Sequence, residues 1–298
     1  MSNSSEKEHK QLTIALIISM VFWGLSWPSA KVLTQFGHSP IELGIVRYAF
    51  VVVSLLILLW ILKIPVIISK KAIPYLILSG VLMAIYNFTF LKGVEMGSPG
   101  AGGILVTTMN PLMAYGLGML IDWRRPNKNE FIGLGLGILA GCTLLQIWDT
   151  KINLLEAGNS FFLLSALLWA IMSRFTSKSA KYGSAFSYTW WLYFVTFLCL
   201  IPVMNGMEVK RLVAITDLTF WGNILFGSVI VTTLATTLYF YATSKVGAEK
   251  ASSFIFTVPL MAALSSWFIL GEAIQIHTVI GGVLGITAVY MINRKIKR

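Results

Sequence analysis

The chain has 298 residues, of which 56% are hydrophobic and only 12% charged. Soluble domains carry roughly 25% charged residues, and a water-soluble fold of this length has too small an interior to hide so much apolar surface. Composition therefore argues against a soluble enzyme or a nucleic-acid-binding domain, and the formal charge of +11 has to be explained by where the basic residues sit.

The first ten residues, MSNSSEKEHK, are polar, and an apolar run from Leu12 to Ala30 follows. A spanning helix needs about 20 residues. This run meets that length and has neither the short core nor the small-residue cleavage site of a secretory signal. It is expected to be a retained first helix. Breaks marked by charge, Gly, Pro and Asn then divide the sequence into ten runs, at 11–35, 40–62, 72–92, 98–121, 129–148, 157–177, 183–204, 218–243, 248–270 and 274–293. The expected fold is an all-α integral membrane protein of ten transmembrane helices, with no loop long enough for a soluble domain.

Most of the 23 Lys and Arg fall in alternate loops, among them Lys63, Lys70, Lys71, Arg124, Arg125, Lys128, Arg174, Lys178, Lys245 and Lys250. Only Lys31, Lys92, Lys151, Lys210 and Arg211 fall on the other side, and Arg47 lies inside a run. Basic loops stay in the cytoplasm, so both termini are expected there. The chain would be a multi-pass protein of the cell (inner) membrane, with the lipid bilayer as its partner.

The sequence also repeats itself. PLMA stands at 111–114 and again at 259–262. In the same register Gly133, Leu136, Gly137, Ile138 and Ala140 match Gly281, Leu284, Gly285, Ile286 and Ala288. FWG at 22–24 resembles LWA at 168–170. Two repeats are expected, 1–150 and 151–298. An odd number of helices per repeat inverts the second half relative to the first, and substrate sites of such proteins lie between the halves near the midplane. The expectation is two inverted five-helix repeats around a central cavity that moves a small molecule.

Several residues are candidates for that cavity. Arg47 in LGIVRYAFV is costly inside a membrane unless it reaches water or a partner. It either snorkels or pairs with a loop carboxylate such as Glu95 or Glu272, or it faces the cavity and meets a substrate carboxylate. Pro111 and Pro259 lie midway along two runs, where each frees a carbonyl one turn earlier and kinks its helix. Thr108, Asn110 and Thr257 stand close to these prolines and can satisfy such groups, as a ligand can. Trp23 and Trp169 occupy matching places and are expected to line the path, with Tyr86 and Asn87 as further candidates. The remaining aromatics, in SYTWWLYF (188 to 194 among them) and LYFY, are expected mainly in interfacial belts. Lys31 sits nearer the surface. Glycines in GLGLGILAG and IGGVLG give small faces for helix contact, expected to pair within the chain, so that the protein works as a monomer.

No Asp or Glu lies deep in an apolar run, which favours facilitated diffusion, exchange or coupling at a helix end over a buried carboxylate relay. The alternative class is a membrane-embedded enzyme, a lipid transferase or an intramembrane hydrolase. It would need paired Asp, a His-Glu metal pattern or a Ser with its base. His9, His38 and His277 all lie outside the apolar centres, and neither HExxH nor GxSxG occurs. No catalytic residues, metal or cofactor are assigned. Cys142 and Cys199 fall in apolar runs as small buried side chains.

Taken together, FWGLSWPSAK, ELGIVRYAFV, the two prolines and LGEAIQIHTVIGGVLGITAV resemble the EamA family of the drug/metabolite transporter superfamily, over nearly the whole chain. The resemblance implies ten helices, cytoplasmic termini, a cavity between the halves, and export or exchange of amino acids, other metabolites or xenobiotics. It carries Trp23, Lys31, Arg47 and the Gly271-Glu272 pair over as family positions, with Lys31 and Glu272 as structural or gating residues. The first half departs, with DWRR at 122–125 where many members repeat the Gly-Glu pair.

Overall fold

The computed structural model describes residues 3–97, 99–148, 157–203, 210–212, 214–270 and 275–294. Its long helices, in chain order, are α1 (Asn3–Thr34), α2 (Pro40–Ile61), α3 (Ile73–Met96), α4 (Pro99–Asp122), α5 (Lys128–Leu145), α6 (Ala157–Thr176), α7 (Ala185–Leu200) and α8 (Leu218–Val246). Two more segments follow: α9, residues 248–270, and α10 (Ile276–Asn293). Among the described residues nine helices are long and apolar enough to cross a membrane, and α9 is not one of the nine. It is built from Ala248–Ser253, a 3-10 turn Phe254–Thr257 and Val258–Leu270.

Local chemistry sets the helix starts. Ser39 accepts from the Glu42 N–H while the Glu42 carboxylate takes the Ser39 N–H, with Pro40 opening α2. This reciprocal cap satisfies two backbone donors that a helix start otherwise leaves free. Asn127 and Glu130 repeat the arrangement at α5. The two internal prolines are accommodated differently. Pro111 lies inside the continuous α4. Pro259 instead stands one residue into Val258–Leu270, where the Val258 N–H donates to Ile255 O in the preceding 3-10 turn.

The outer surface is apolar. Trp60 is 80% and Trp123 88% exposed, and Phe131, Leu218 and Ile276 are likewise open. Side chains of this kind on a soluble monomer would drive aggregation; on a helix bundle they face lipid. The expected interfacial belts need one correction. Tyr188, Tyr193 and Tyr239 are buried. Tyr188 faces Ser79 at 3.3 Å, Tyr239 faces Ser173 at 3.2 Å, and Tyr193 stacks on Tyr48 at 5.6 Å. Buried tyrosines find hydroxyl and ring partners of this kind.

Pairing between helices positions the centre of the bundle. α5 packs along α10, and α2 along α7. α1 packs on α8 and α9, whereas α6 packs on α3 and α4. Small residues make the α5–α10 contact close: a methyl group on Gly133 would meet Ala288 O at 2.9 Å, and one on Gly281 would meet Ala140 O at 3.2 Å. α1 begins earlier than its apolar run, and Glu8 of the polar start lies 3.6 Å from Lys245.

Candidate functional site

A cavity of about 100 Å³ opens between the helices, enough for several waters. Every long segment except α5 and α10 contributes to its wall. Trp23, Trp27, Tyr86, Phe90 and Trp169 supply aromatic walls, and Arg47 supplies a guanidinium. Asn87, Thr107 and Asn110 add polar groups, as do Thr232 and Thr236 from α8.

Trp23 and Trp169 meet edge to face, with ring centroids 5.1 Å apart. Trp23 also lies 4.8 Å from the ring of Tyr239, and Tyr86 lies 5.0 Å from Trp169. Edge-to-face geometry is one of the favoured aromatic pairings, and the other two contacts are tilted at 49°, so the rings form one contiguous wall.

Arg47 lies against Gly227 of α8 and between tyrosines, and its Nε is buried without a hydrogen-bond partner. Among the described residues no carboxylate forms an ion pair with it. One of its expected partners, Glu95, is held by Lys92 at 3.0 Å; the other, Glu272, lies outside the described residues. Asn87 donates to Pro40 O at 2.9 Å and Asn110 to Ala166 O at 3.0 Å. Each asparagine is almost fully buried, at 2% and 1% exposure, and each leaves its Oδ1 unpartnered.

Trp23, Arg47, Tyr86, Asn87, Asn110 and Trp169 thus border one cavity. Thr108 and Thr257 do not. Thr108 packs under Gly141 of α5, and its neighbour Thr107 takes the cavity-facing position. Thr257 bonds back to Phe254 O at 2.7 Å within the 3-10 turn. Lys31 donates to Val94 O at 3.0 Å, tying α1 to α3.

The α8 wall comes from a feature that hydropathy does not reveal. Phe226–Thr236 is a π-helix inside an otherwise α-helical segment. Such wide turns cluster at functional positions. Hydroxyls satisfy its carbonyls: Thr232 donates to Gly227 O at 2.8 Å, Thr236 to Val231 O at 3.1 Å, and Ser19 of α1 to Ala235 O at 2.7 Å. The Trp23 indole in turn donates to Thr236 Oγ1 at 3.1 Å. The available sequence signal was VTTLATT at 231–237, with four threonines in an apolar run. Thr236→Val removes the acceptor of a part-buried indole N–H, and should lower stability by about 0.5–1.5 kcal/mol. The unfolding midpoint in detergent reads this, with Thr236→Ser staying near wild type; an unchanged midpoint for the Val variant would count against the bond.

Charges close one end of the bundle. Arg174 on α6 forms ion pairs with Asp122 on α4 and with Glu249 on α9, the latter at 3.0 Å. Beside it Arg124 pairs with Glu130 and sits 5.4 Å over the Tyr115 ring. Burial disfavours the Arg124 charge, but Glu130, Tyr115 and Glu249 together outweigh that and hold the guanidinium more firmly protonated than usual. Asp122 and Arg124 belong to the DWRR segment.

A profile of the EamA-like transporter family matches residues 12–146 and 156–294. Relatives include the uncharacterized transporter YyaM of Bacillus subtilis (strain 168), 25% identical and covering 95% of this chain and 93% of its own. The uncharacterized transporter YoaV of the same organism is 23% identical over 94% and 96%. The WAT1-related protein At3g02690, chloroplastic, of Arabidopsis thaliana is 25% identical over 68% of this chain and 50% of that protein. A solved crystal structure shares the fold with a TM-score of 0.72 at 13% identity, covering 95% of this chain and 96% of that one. With the family profile matched over most of its length, and an apolar multi-helix exterior around a polar-studded cavity, the chain belongs to the EamA-like transporter family.

Proposed function

We propose that this transporter is an alternating-access carrier of ten transmembrane helices, made of two inverted five-helix repeats, 1–150 and 151–298. It exports or exchanges amino acids or other small metabolites or xenobiotics as a monomer in the cell membrane, with both termini in the cytoplasm. One observation carries the reading. α1 packs on α8 and α9, while α6, its counterpart in the second half, packs on α3 and α4. Shifting every helix number by five exchanges these two sets of contacts and maps the α2–α7 and α5–α10 pairs onto themselves. A pseudo-twofold between the halves requires that pattern.

Two details support it. Trp23 and Trp169, at matching places in the two halves, touch across the cavity. The Arg174 network joins Asp122 of one half to Glu249 of the other at the end carrying most basic loops. In this reading the network is the closed cytoplasmic gate, and the cavity belongs to a state shut on that side. Opening requires Arg174 to release its carboxylates while the halves rock about the midplane.

Counterflow in proteoliposomes with a mixed panel of amino acids and metabolites, with and without a pH gradient, tests the reading. At least one solute should exchange saturably above protein-free liposomes, and because no carboxylate among the described residues lines the cavity the exchange should run without a gradient. Uptake of no solute above background would overturn it.

A further inference from the structure

We propose that the cavity selects organic monoanions: solutes with one anionic group, at least one O–H or N–H donor, and a flat apolar body. This inference rests on the carrier reading and names its substrate class.

The argument starts from charge. Among the described residues that line the cavity, Arg47 is the sole ionised group, and there is no Asp or Glu. An isolated charge in a low-dielectric interior is costly, and a carrier must move its loaded site through such surroundings. A single negative charge on the solute brings the loaded site to neutrality. A neutral solute or a zwitterion leaves the site at one positive charge, a cation doubles it, and a dianion reverses it. The buried, unpartnered Nε of Arg47 is a donor in waiting; guanidinium binds carboxylate or phosphate oxygens with two parallel bonds.

Hydrogen bonding adds the second requirement. Asn87 and Asn110 each donate one amide N–H to a backbone carbonyl and keep a buried Oδ1 free. A buried acceptor left without a donor is destabilising. A solute hydroxyl or amide N–H supplies that donor, whereas a second anionic oxygen would be repelled. The walls supply the third requirement, because Trp27, Phe90, Tyr86 and Trp169 form a run of ring contacts, with centroids 5.0 Å apart for Trp27–Phe90 and for Tyr86–Trp169, and 5.8 Å for Tyr86–Phe90. Faces of this kind accept a flat apolar body.

The test uses purified full-length protein in proteoliposomes and probes differing in charge: 4-hydroxybenzoate with its neutral isostere 4-hydroxybenzamide, and the larger tyrosine and tyramine, with benzoate as the probe lacking a donor. At a pH where its carboxyl is ionised, 4-hydroxybenzoate should move at least about tenfold faster than the amide and the amine, and faster than benzoate. Arg47→Gln should erase the preference for the anion and Arg47→Lys should keep much of it. Asn110→Asp, which adds a carboxylate to the wall and neutralises the empty site, should shift preference toward 4-hydroxybenzamide and tyrosine. Preference for the neutral, zwitterionic or cationic probe in the wild type overturns the proposal, as does an anion preference that survives Arg47→Gln. A protein that exchanges a metabolite panel but none of these probes also overturns it while leaving the carrier reading intact; one that moves nothing at all fails at the carrier reading first.

Discussion

Arg174→Ala should open the end of the bundle where α4, α6 and α9 converge and remove most transport. Arg174 is 8% exposed in its side chain, Glu249 14% and Asp122 48%. Removing one member of a fully buried pair costs about 3–5 kcal/mol. Asp122 is half in water and screened, so the expected cost here is smaller, about 2–3 kcal/mol. Released as a bias between two conformers, that energy shifts their ratio by roughly 30- to 150-fold. A single cysteine at Thr232, in a chain with Cys142 and Cys199 replaced, reads the shift. Its labelling by an impermeant thiol reagent from the DWRR side should rise at least about tenfold in Arg174→Ala. Glu249→Gln leaves the Asp122 contact and should have a smaller effect. Arg174→Lys should fall between, since one ammonium cannot fork to two carboxylates. Unchanged labelling in a folded Arg174→Ala protein would show that the network does not hold the gate.

The parts of this site that could be read in the sequence are those whose signal is local. An arginine in an apolar run is conspicuous because lipid penalises it, and Arg47 borders the cavity. Repeated tryptophans stand out because the sequence around them repeats, and Trp23 and Trp169 touch. Whether a residue on the right helix faces the right way is not local. Thr107 and Thr108 differ by about 100° around α4, and only the rotation of that helix against α5 decides that Thr107 faces the cavity. Thr257 is turned aside by a 3-10 segment that its own hydroxyl helps to bind. The π-helix was not legible either, because hydropathy does not distinguish bonds spanning four residues from those spanning five. The Arg174 network joins residues far apart in the chain, and three of its helices had to be packed before their ends could meet.

Gly24→Ala should destabilise the protein although it adds one methyl group to a helix. The added carbon would stand 2.7 Å from the backbone nitrogen of Ala262 and 3.0 Å from the carbonyl carbon of Met261. Backbone atoms cannot rotate aside, so α1 must move off α9. Overpacking of this kind costs about 1–3 kcal/mol, and Gly24→Leu should cost more. Gly116→Ala on α4 is the internal control: a methyl there has no neighbour within 4 Å. It should be neutral, or stabilise by up to about 1 kcal/mol through helix propensity. The two variants carry the same chemical change, so their difference isolates the crossing of α1 and α9. Unfolding midpoints in one detergent measure stability; counterflow measures function. Transport should fall further in Gly24→Ala than stability alone accounts for, because Trp23 is the adjacent residue and its contact with Trp169 depends on where α1 sits. Equal midpoints for the two variants would sink the argument. Without a hydrophobic drive between helices in lipid, close approach through small residues carries much of the association, so forcing this crossing apart should loosen α1 from α9.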